Sequence, residues 1–283
     1  MISVISAIQL SSVNCIDQNI EDIDKILFEN MPRLSAEDMH LVVLPECCLY
    51  FGGRDIDQLM IAENLGHGKM QQALASLAKK HGIFLLAGTI PIKTQNDNKF
   101  TASSLLFSPN GDIVCDYQKM HLFDVDVNDS EKQYRESKYT APGNKLSVID
   151  LDTFKLGFSV CYDLRFAELF RALRVQGAEV IAVPSAFTKV TGEAHWQSLL
   201  RARAIENQIY IVAAGQSGVH PNGRETFGHS MIIDPWGEVK EIKVTGIGMI
   251  SCDFDRQLIK KIRKDIPVAQ HNKFSVTLNK MDN

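Results

Sequence analysis

A thiol, a carboxylate and an ammonium stand at comparable points of this sequence, each where an extended pattern runs out. Cys161 lies in KLGFSVCYDLRFAELF, where a strand pattern gives way to a helical one within a few residues. A side chain on such a turn is held by sheet and helix together, and amides at the helix start can stabilise a thiolate or an oxyanion. Glu46 follows Pro45 at the end of LVVLP, the carboxyl edge of a buried strand, where open α/β sheets commonly place their sites. Lys119 takes the comparable position after IVCDYQ. Each has an ordinary reading as well: an inert buried thiol, a solvated carboxylate, a surface ammonium above its own alkyl stem. Together they supply what nucleophilic attack on an amide carbonyl needs. Glu46 accepts the thiol proton and later activates water, Cys161 attacks carbon, and Lys119 holds the charge that develops on oxygen.

Positioning three such distant residues requires a layered scaffold, and the hydrophobic periods describe one. ISVISAIQL alternates as a strand, and Ile16, Ile20, Ile23 and Leu27 then recur at helical spacing. LVVLPE reads as a buried strand, Met70, Leu74 and Leu77 as a helix stopped at His81-Gly82, and IFLLAGT as the next strand. FTASSLLFSPNGDIVCDYQK reads as a hairpin whose Asn110-Gly111 supplies the positive φ angles of a tight turn. The polar segment from Asp124 to Gly143 breaks the pattern and is expected to be a solvent-side loop near a site, able to act as a lid. The second half repeats the grammar: KLGFSV strand, a helix with Leu169, Phe170 and Leu173, AEVIAVP strand, a helix with Trp196, Leu199 and Leu200, then QIYIVAAG. A hairpin around Asp234-Pro235-Trp236-Gly237 follows, then a polar tail with short apolar insertions. Such alternation predicts an α/β fold, and with no Pro- or Ser-rich linker the chain reads as one domain over 1–255. The tail 256–283 is expected to pack on that domain or on a dimer partner.

Composition bounds the function classes. Thirty basic against 34 acidic side chains give a net charge of −4, which offers no broad electrostatic case for nucleic acid or an anionic membrane as partner. A small-molecule substrate is expected. The longest apolar stretch, from Ile83, stops short of the roughly 18 residues of a spanning helix. The amino terminus lacks the basic start of a secretory signal, so a cytoplasmic setting is expected. The 6 cysteines and 8 histidines show neither C-x-x-C nor H-x-x-x-H spacing, which points away from a disulfide framework and from structural zinc. GFSVC is not the serine-hydrolase elbow, since position 161 is Cys where that motif has Gly.

LPECCLY around Glu46, YQKMHLFD around Lys119 and GFSVCYDLRF around Cys161 resemble, in the same order, the three motifs of the nitrilase or carbon-nitrogen hydrolase superfamily. The resemblance runs from about Ile2 to about Phe254. It implies a four-layer α-β-β-α sandwich built when two subunits pack, a homodimer or higher oligomer, and a thioester reaction without metal or organic cofactor. It also implies a second glutamate in the loop after the lysine, matched by Glu136 in YRESKYTAPG, with Glu131 as the alternative because the loop departs from the usual pattern. The backbone N–H of Tyr162 is implied as an oxyanion donor beside Lys119. A lysine between two carboxylates is expected to stay protonated and, in turn, to favour thiolate at Cys161.

Within the superfamily, CYDLRF is similar to the amidase branch, and the block from PSAF to FGHSMIIDPWGEV looks especially like deaminated glutathione amidases, with omega-amidases close behind. Ala167 replaces the Pro seen in many relatives. The resemblance implies that Arg165, Phe187 and Thr191 hold the α-keto acid end of the substrate, as a planar fork, an apolar wall and a hydroxyl donor. Their alternatives are an ion pair with Asp163 or Glu168, a core ring and a helix cap. Loop charge suggests that Lys132, Arg135 and Lys138 read a second carboxylate on a longer substrate. Trp196 and Trp236 read as core or dimer-interface aromatics, and His121 as a packed hydrogen-bonding residue. The rival from another class is a metabolite-binding scaffold without catalysis.

Overall fold

Apolar alternation in the first ten residues and in LVVLP produces the two parallel strands at the heart of the first sheet. The computed structural model describes residues 2–32, 34–35, 37–129 and 131–278. The first half comprises β1 (Ser3–Gln9), α1 (Ile16–Asn30), β2 (Met39–Val43), α2 (Asp55–Ile61), α3 (Lys69–His81), β3 (Phe84–Leu86), β4 (Ile90–Lys93), β5 (Phe100–Phe107) and β6 (Ile113–Gln118). A short hairpin, β7 (Asp124–Asp126) and β8 (Gln133–Arg135), leads into a 3-10 turn at Glu136–Lys138. Then follow β9 (Val148–Asp150), β10 (Lys155–Phe158), a 3-10 turn at Cys161–Arg165, α4 (Ala167–Val175), β11 (Val180–Ala182) and α5 (Lys189–Asn207). Strands β12 (Tyr210–Ala213), β13 (Ser217–Val219), β14 (Glu225–Phe227), β15 (Ser230–Ile233), β16 (Val239–Lys243) and β17 (Gly248–Asp253) precede α6 (Arg256–Asp265) and α7 (Val268–His271).

A seven-stranded sheet runs β17-β1-β2-β3-β5-β4, with β6 also paired to β5, and a six-stranded sheet runs β16-β15-β12-β11-β10-β9. In each, three central strands pair in parallel across helical crossovers, and antiparallel strands extend the edges. The period-two alternation divides the first sheet's faces. Ile5, Ala7, Leu41 and Val43 turn toward the second sheet, whereas Ile8, Val42 and Leu44 meet Ile23 and Leu27 of α1 and Leu74 and Leu77 of α3. On the other side α4 and α5 bring Leu169, Phe170, Trp196 and Leu200 against the second sheet. Each buried Leu or Ile removed from water contributes about 1.5–3 kcal/mol. All four layers therefore belong to one chain. The resemblance implied that two subunits build the sandwich; instead each sheet has an apolar face left after its own helices pack, and those two faces cover each other.

The hairpin turn differs in one detail from its reading, since only Gly111 takes a positive φ, +88°, and the Gly111 N–H closes the turn on the Ser108 carbonyl at 2.8 Å. The segment from Asp124 is not irregular throughout. Its polar residues pair with one another across β7 and β8, Arg135 with Asp126 at 2.9 Å and the Tyr134 hydroxyl with Asp129 at 2.8 Å, a pattern that apolar periodicity does not register. Strand β17 lies in what reads as a polar tail, where it adds antiparallel to β1 as a half-buried edge.

Candidate active site

The ends of β2 and β6 and the turn after β10 carry Glu46, Lys119 and Cys161 into one cavity of about 1090 Å³, part of it open to solvent. All three are buried, at 6 %, 2 % and 7 % exposure. The Glu46 carboxylate is fixed at both oxygens: Oε1 accepts from Lys119 Nζ at 2.7 Å and Oε2 from the Ala186 N–H at 2.9 Å. Beneath it, Gln216 Nε2 donates to the Glu46 carbonyl at 3.0 Å. Just past β6, the lysine's backbone is held from both sides, its N–H donating to the Ala102 carbonyl of β5 and its carbonyl accepting from the Gly143 N–H.

Lys119 Nζ also donates to Glu136, at 3.0 Å to Oε1 and 2.8 Å to Oε2. Glu136 is held in turn by the Phe123 N–H at 2.7 Å. Glu131, the alternative, is exposed and does not line the cavity. Burial weakens the hold of Lys119 on its proton, but Glu136 and Glu46 more than offset it and hold the ammonium well above the ordinary lysine range. Glu136 is itself pushed up, burial outweighing the attraction of Lys119.

Cys161 opens its 3-10 turn with φ of +48°, a left-handed conformation that costs a non-glycine residue about 1–3 kcal/mol. Its N–H donates to the Pro184 carbonyl at 2.8 Å. The Tyr162 N–H that follows has no acceptor among the described residues and is available to a ligand oxygen. The expected preference for thiolate is corrected here. Burial first, and the Glu46 charge second, push the Cys161 thiol well above the usual range, and the pull of Lys119 does not offset them. That shift favours the thiol form, whose proton needs a base to take it.

Phe187 and Thr191 line the cavity as anticipated, the Thr191 hydroxyl within 2.9 Å of Thr188 Oγ1, the residue that caps α5. Arg165 does not line it. Its guanidinium lies over the Phe187 and Tyr162 rings at 5.4 and 5.8 Å and 3.3 Å from His195 Nδ1, so it backs the wall instead of facing a ligand, and it pairs with neither Asp163 nor Glu168. Of the three basic loop residues, Lys132 and Lys138 lie outside the cavity and Arg135 is tied to Asp126 and to two carbonyls. Trp196 is core, His121 is stacked on Phe166 and hydrogen-bonded to Asp163, and Trp236 is exposed. Arg224 lines the cavity and escapes sequence reasoning, because a single arginine in a polar turn, HPNGRETF, carries no periodic signal.

The profile of the carbon-nitrogen hydrolase family matches residues 4–264. The chain is 42% identical to the deaminated glutathione amidase of Yersinia enterocolitica, covering 93% of this chain and 92% of that protein. It is 36% identical to the human deaminated glutathione amidase over 95% of this chain and 82% of the other. Among solved structures, Nit3 of Saccharomyces cerevisiae, a member of branch 10 of the nitrilase superfamily, superposes with a TM-score of 0.83 at 29% identity, covering 96% of this chain and 97% of that one.

Proposed function

Since the chain belongs to the carbon-nitrogen hydrolase family, we propose that it is a thiol amidohydrolase that cleaves deaminated glutathione to 2-oxoglutarate and cysteinylglycine. The observation that carries the chemistry is the Glu46–Lys119–Glu136 chain, centred on a buried lysine, in the cavity that Cys161 lines. The names of the relatives support the substrate.

Glu46 takes the Cys161 proton as sulfur adds to the amide carbon, and Lys119 Nζ and the Tyr162 N–H hold the oxyanion. The C–N bond then breaks, the proton on Glu46 passes to the departing nitrogen, and the acyl group remains as a thioester. Water enters and gives a proton to Glu46 as its oxygen adds to the thioester carbon. Cleavage of the C–S bond returns that proton to sulfur and releases 2-oxoglutarate. Glu136 keeps Lys119 charged and aimed throughout. Phe187 walls the acyl chain and Thr191 offers its hydroxyl, while Arg165 acts through Phe187. Six free cysteines support a reducing, cytoplasmic setting. Exposed Ile205 near the end of α5, against Gly237 of the β15–β16 turn that also exposes Trp236, supports a homodimer.

A panel of deaminated glutathione, 2-oxoglutaramate, asparagine and a carbamoyl amine, read by keto-acid or ammonia release, tests the reading. The highest kcat/KM is expected for deaminated glutathione. A higher value for 2-oxoglutaramate would make the protein an omega-amidase, and turnover of none would leave a binding scaffold. Cys161→Ala abolishes turnover with folding intact, and Lys119→Ala and Glu46→Gln each cost about 3–4 kcal/mol of barrier.

A further inference from the structure

We propose that Arg224 binds the carboxylate at the far end of the departing amine, so that the site selects amides whose leaving group is a short acidic peptide. The inference rests on the amidase reading and names what distinguishes its substrate from a simple amide.

Three arginines line the cavity, and two are already occupied. Arg54 donates to Asp57 from Nε and from a terminal nitrogen at 3.1 and 2.8 Å, and Arg135 to Asp126 at 2.9 Å. The Arg224 guanidinium makes no hydrogen bond among the described residues. Its nearest carboxylate, Asp55, stands 3.8 Å away with its side chain 73 % exposed, too long and too wet a pair to hold it. All five guanidinium N–H donors remain available to an incoming anion, in a planar fork that matches a carboxylate.

The group is nevertheless fixed. Its carbon lies 5.1 Å from the centre of the Phe51 ring and 4.9 Å from that of Tyr134, so the side chain is gripped between two aromatic surfaces and is only 20 % exposed. The turn that carries it is closed by the His220 N–H on the Arg224 carbonyl at 2.9 Å. His220 is buried, bonded to the Ser12 carbonyl at 2.9 Å and to Thr226 Oγ1 at 2.7 Å, and meets Phe51 edge-on with ring centres 4.4 Å apart. An arginine that is rigid, half-desolvated and without an acceptor is preorganised for a ligand rather than for the fold.

Charge places that ligand. Around the reacting carbonyl the charge of Lys119 is already offset by two carboxylates, so a carboxylate of the substrate gains little there and is better matched to another cation. Tyr134, one of the two rings gripping Arg224, is two residues from Glu136, which grips the lysine, and we take this rim of the cavity as the leaving-group side. In deaminated glutathione that side ends in the glycine carboxylate.

The test compares deaminated glutathione with its glycinamide analogue, identical except that the terminal carboxylate is capped. The wild type should prefer the free acid by roughly 10- to 100-fold in kcat/KM, mostly through KM. Arg224→Gln should bring that ratio to within about threefold of unity, and Arg224→Lys should retain part of it. Because each ratio is taken within one protein, a fraction of misfolded variant cancels. A preference that survives in Arg224→Gln, or no preference in an active wild type, would overturn the assignment alone. Failure of the wild type to hydrolyse either compound would overturn the amidase reading, and this inference with it.

Discussion

Asp163 is fully buried and accepts four hydrogen bonds, from the Val160 N–H at 2.8 Å, the Tyr117 hydroxyl at 2.7 Å, the His121 N–H at 3.0 Å and His121 Nδ1 at 2.7 Å. Two of the three donor residues flank Lys119 by two positions on either side, and the third immediately precedes Cys161. One carboxylate thus ties the ammonium's segment to the nucleophile's, and it helps hold a turn that Cys161 enters at φ of +48°. An amide in its place has a single acceptor oxygen and cannot satisfy both sides. Asp163→Asn should lower kcat on the order of 10²-fold with KM nearly unchanged, because small misplacements of reacting groups are costly, and should slow alkylation of Cys161. A role in stability alone would lower the melting temperature and leave kcat per folded molecule and the alkylation rate untouched.

Among elements, the ends of strands decide the geometry more than their middles. Glu46 hangs from the chain just after β2, and that stretch is set by Gly88, where φ is +37° and an added Cβ would stand 1.8 Å from the Pro45 carbonyl oxygen. Nothing larger than hydrogen fits without moving the carboxylate's support. Gly88→Ala should therefore destabilise the fold by about 1–3 kcal/mol or more and reduce turnover of the remaining folded protein. Thermal melts and single-turnover rates check it, and a variant matching the wild type in both would show that the approach is not tight. Strand ends with such consequences were legible where apolar alternation stops abruptly, at Pro45 and at Gln118, and the helix of Met70, Leu74 and Leu77 showed its buried stripe directly. Helix α2 was not legible because it buries no side chain completely, and α6 because only Ile259 and Ile262 of its ten residues are buried in a basic sequence.

For the molecule as a whole, legibility followed the range of the interaction. Glu46, Lys119, Glu136 and Cys161 could be named because each sits in its own short motif, whereas the outward turn of Arg165 and the freedom of Arg224 depend on partners far away in sequence, Phe187, Phe51 and Tyr134. Acid stability is another whole-molecule property of this kind. His40 on β2 is 3 % exposed, its Nε2 lies 2.6 Å from Ser6 Oγ on β1, and Ser6 Oγ lies 2.7 Å from Ser251 Oγ on β17, so one polar thread crosses three strands of the first sheet. The other ring nitrogen, Nδ1, has no partner among the described residues. Burial pushes the imidazole from its ordinary value of 6.5 down to about 4. The unfolded chain therefore binds this proton more readily than the fold does, and stability that is complete above pH 6.5 drains away as pH falls toward 4. Over that window the loss from His40 amounts to about 3 kcal/mol. Urea unfolding at pH 7 and pH 4.5 should show this drop in the wild type, and His40→Gln, which keeps a partner for Ser6 without the titration, should show a drop smaller by about that amount. Parallel losses in the two proteins would place the acid sensitivity elsewhere in the sandwich.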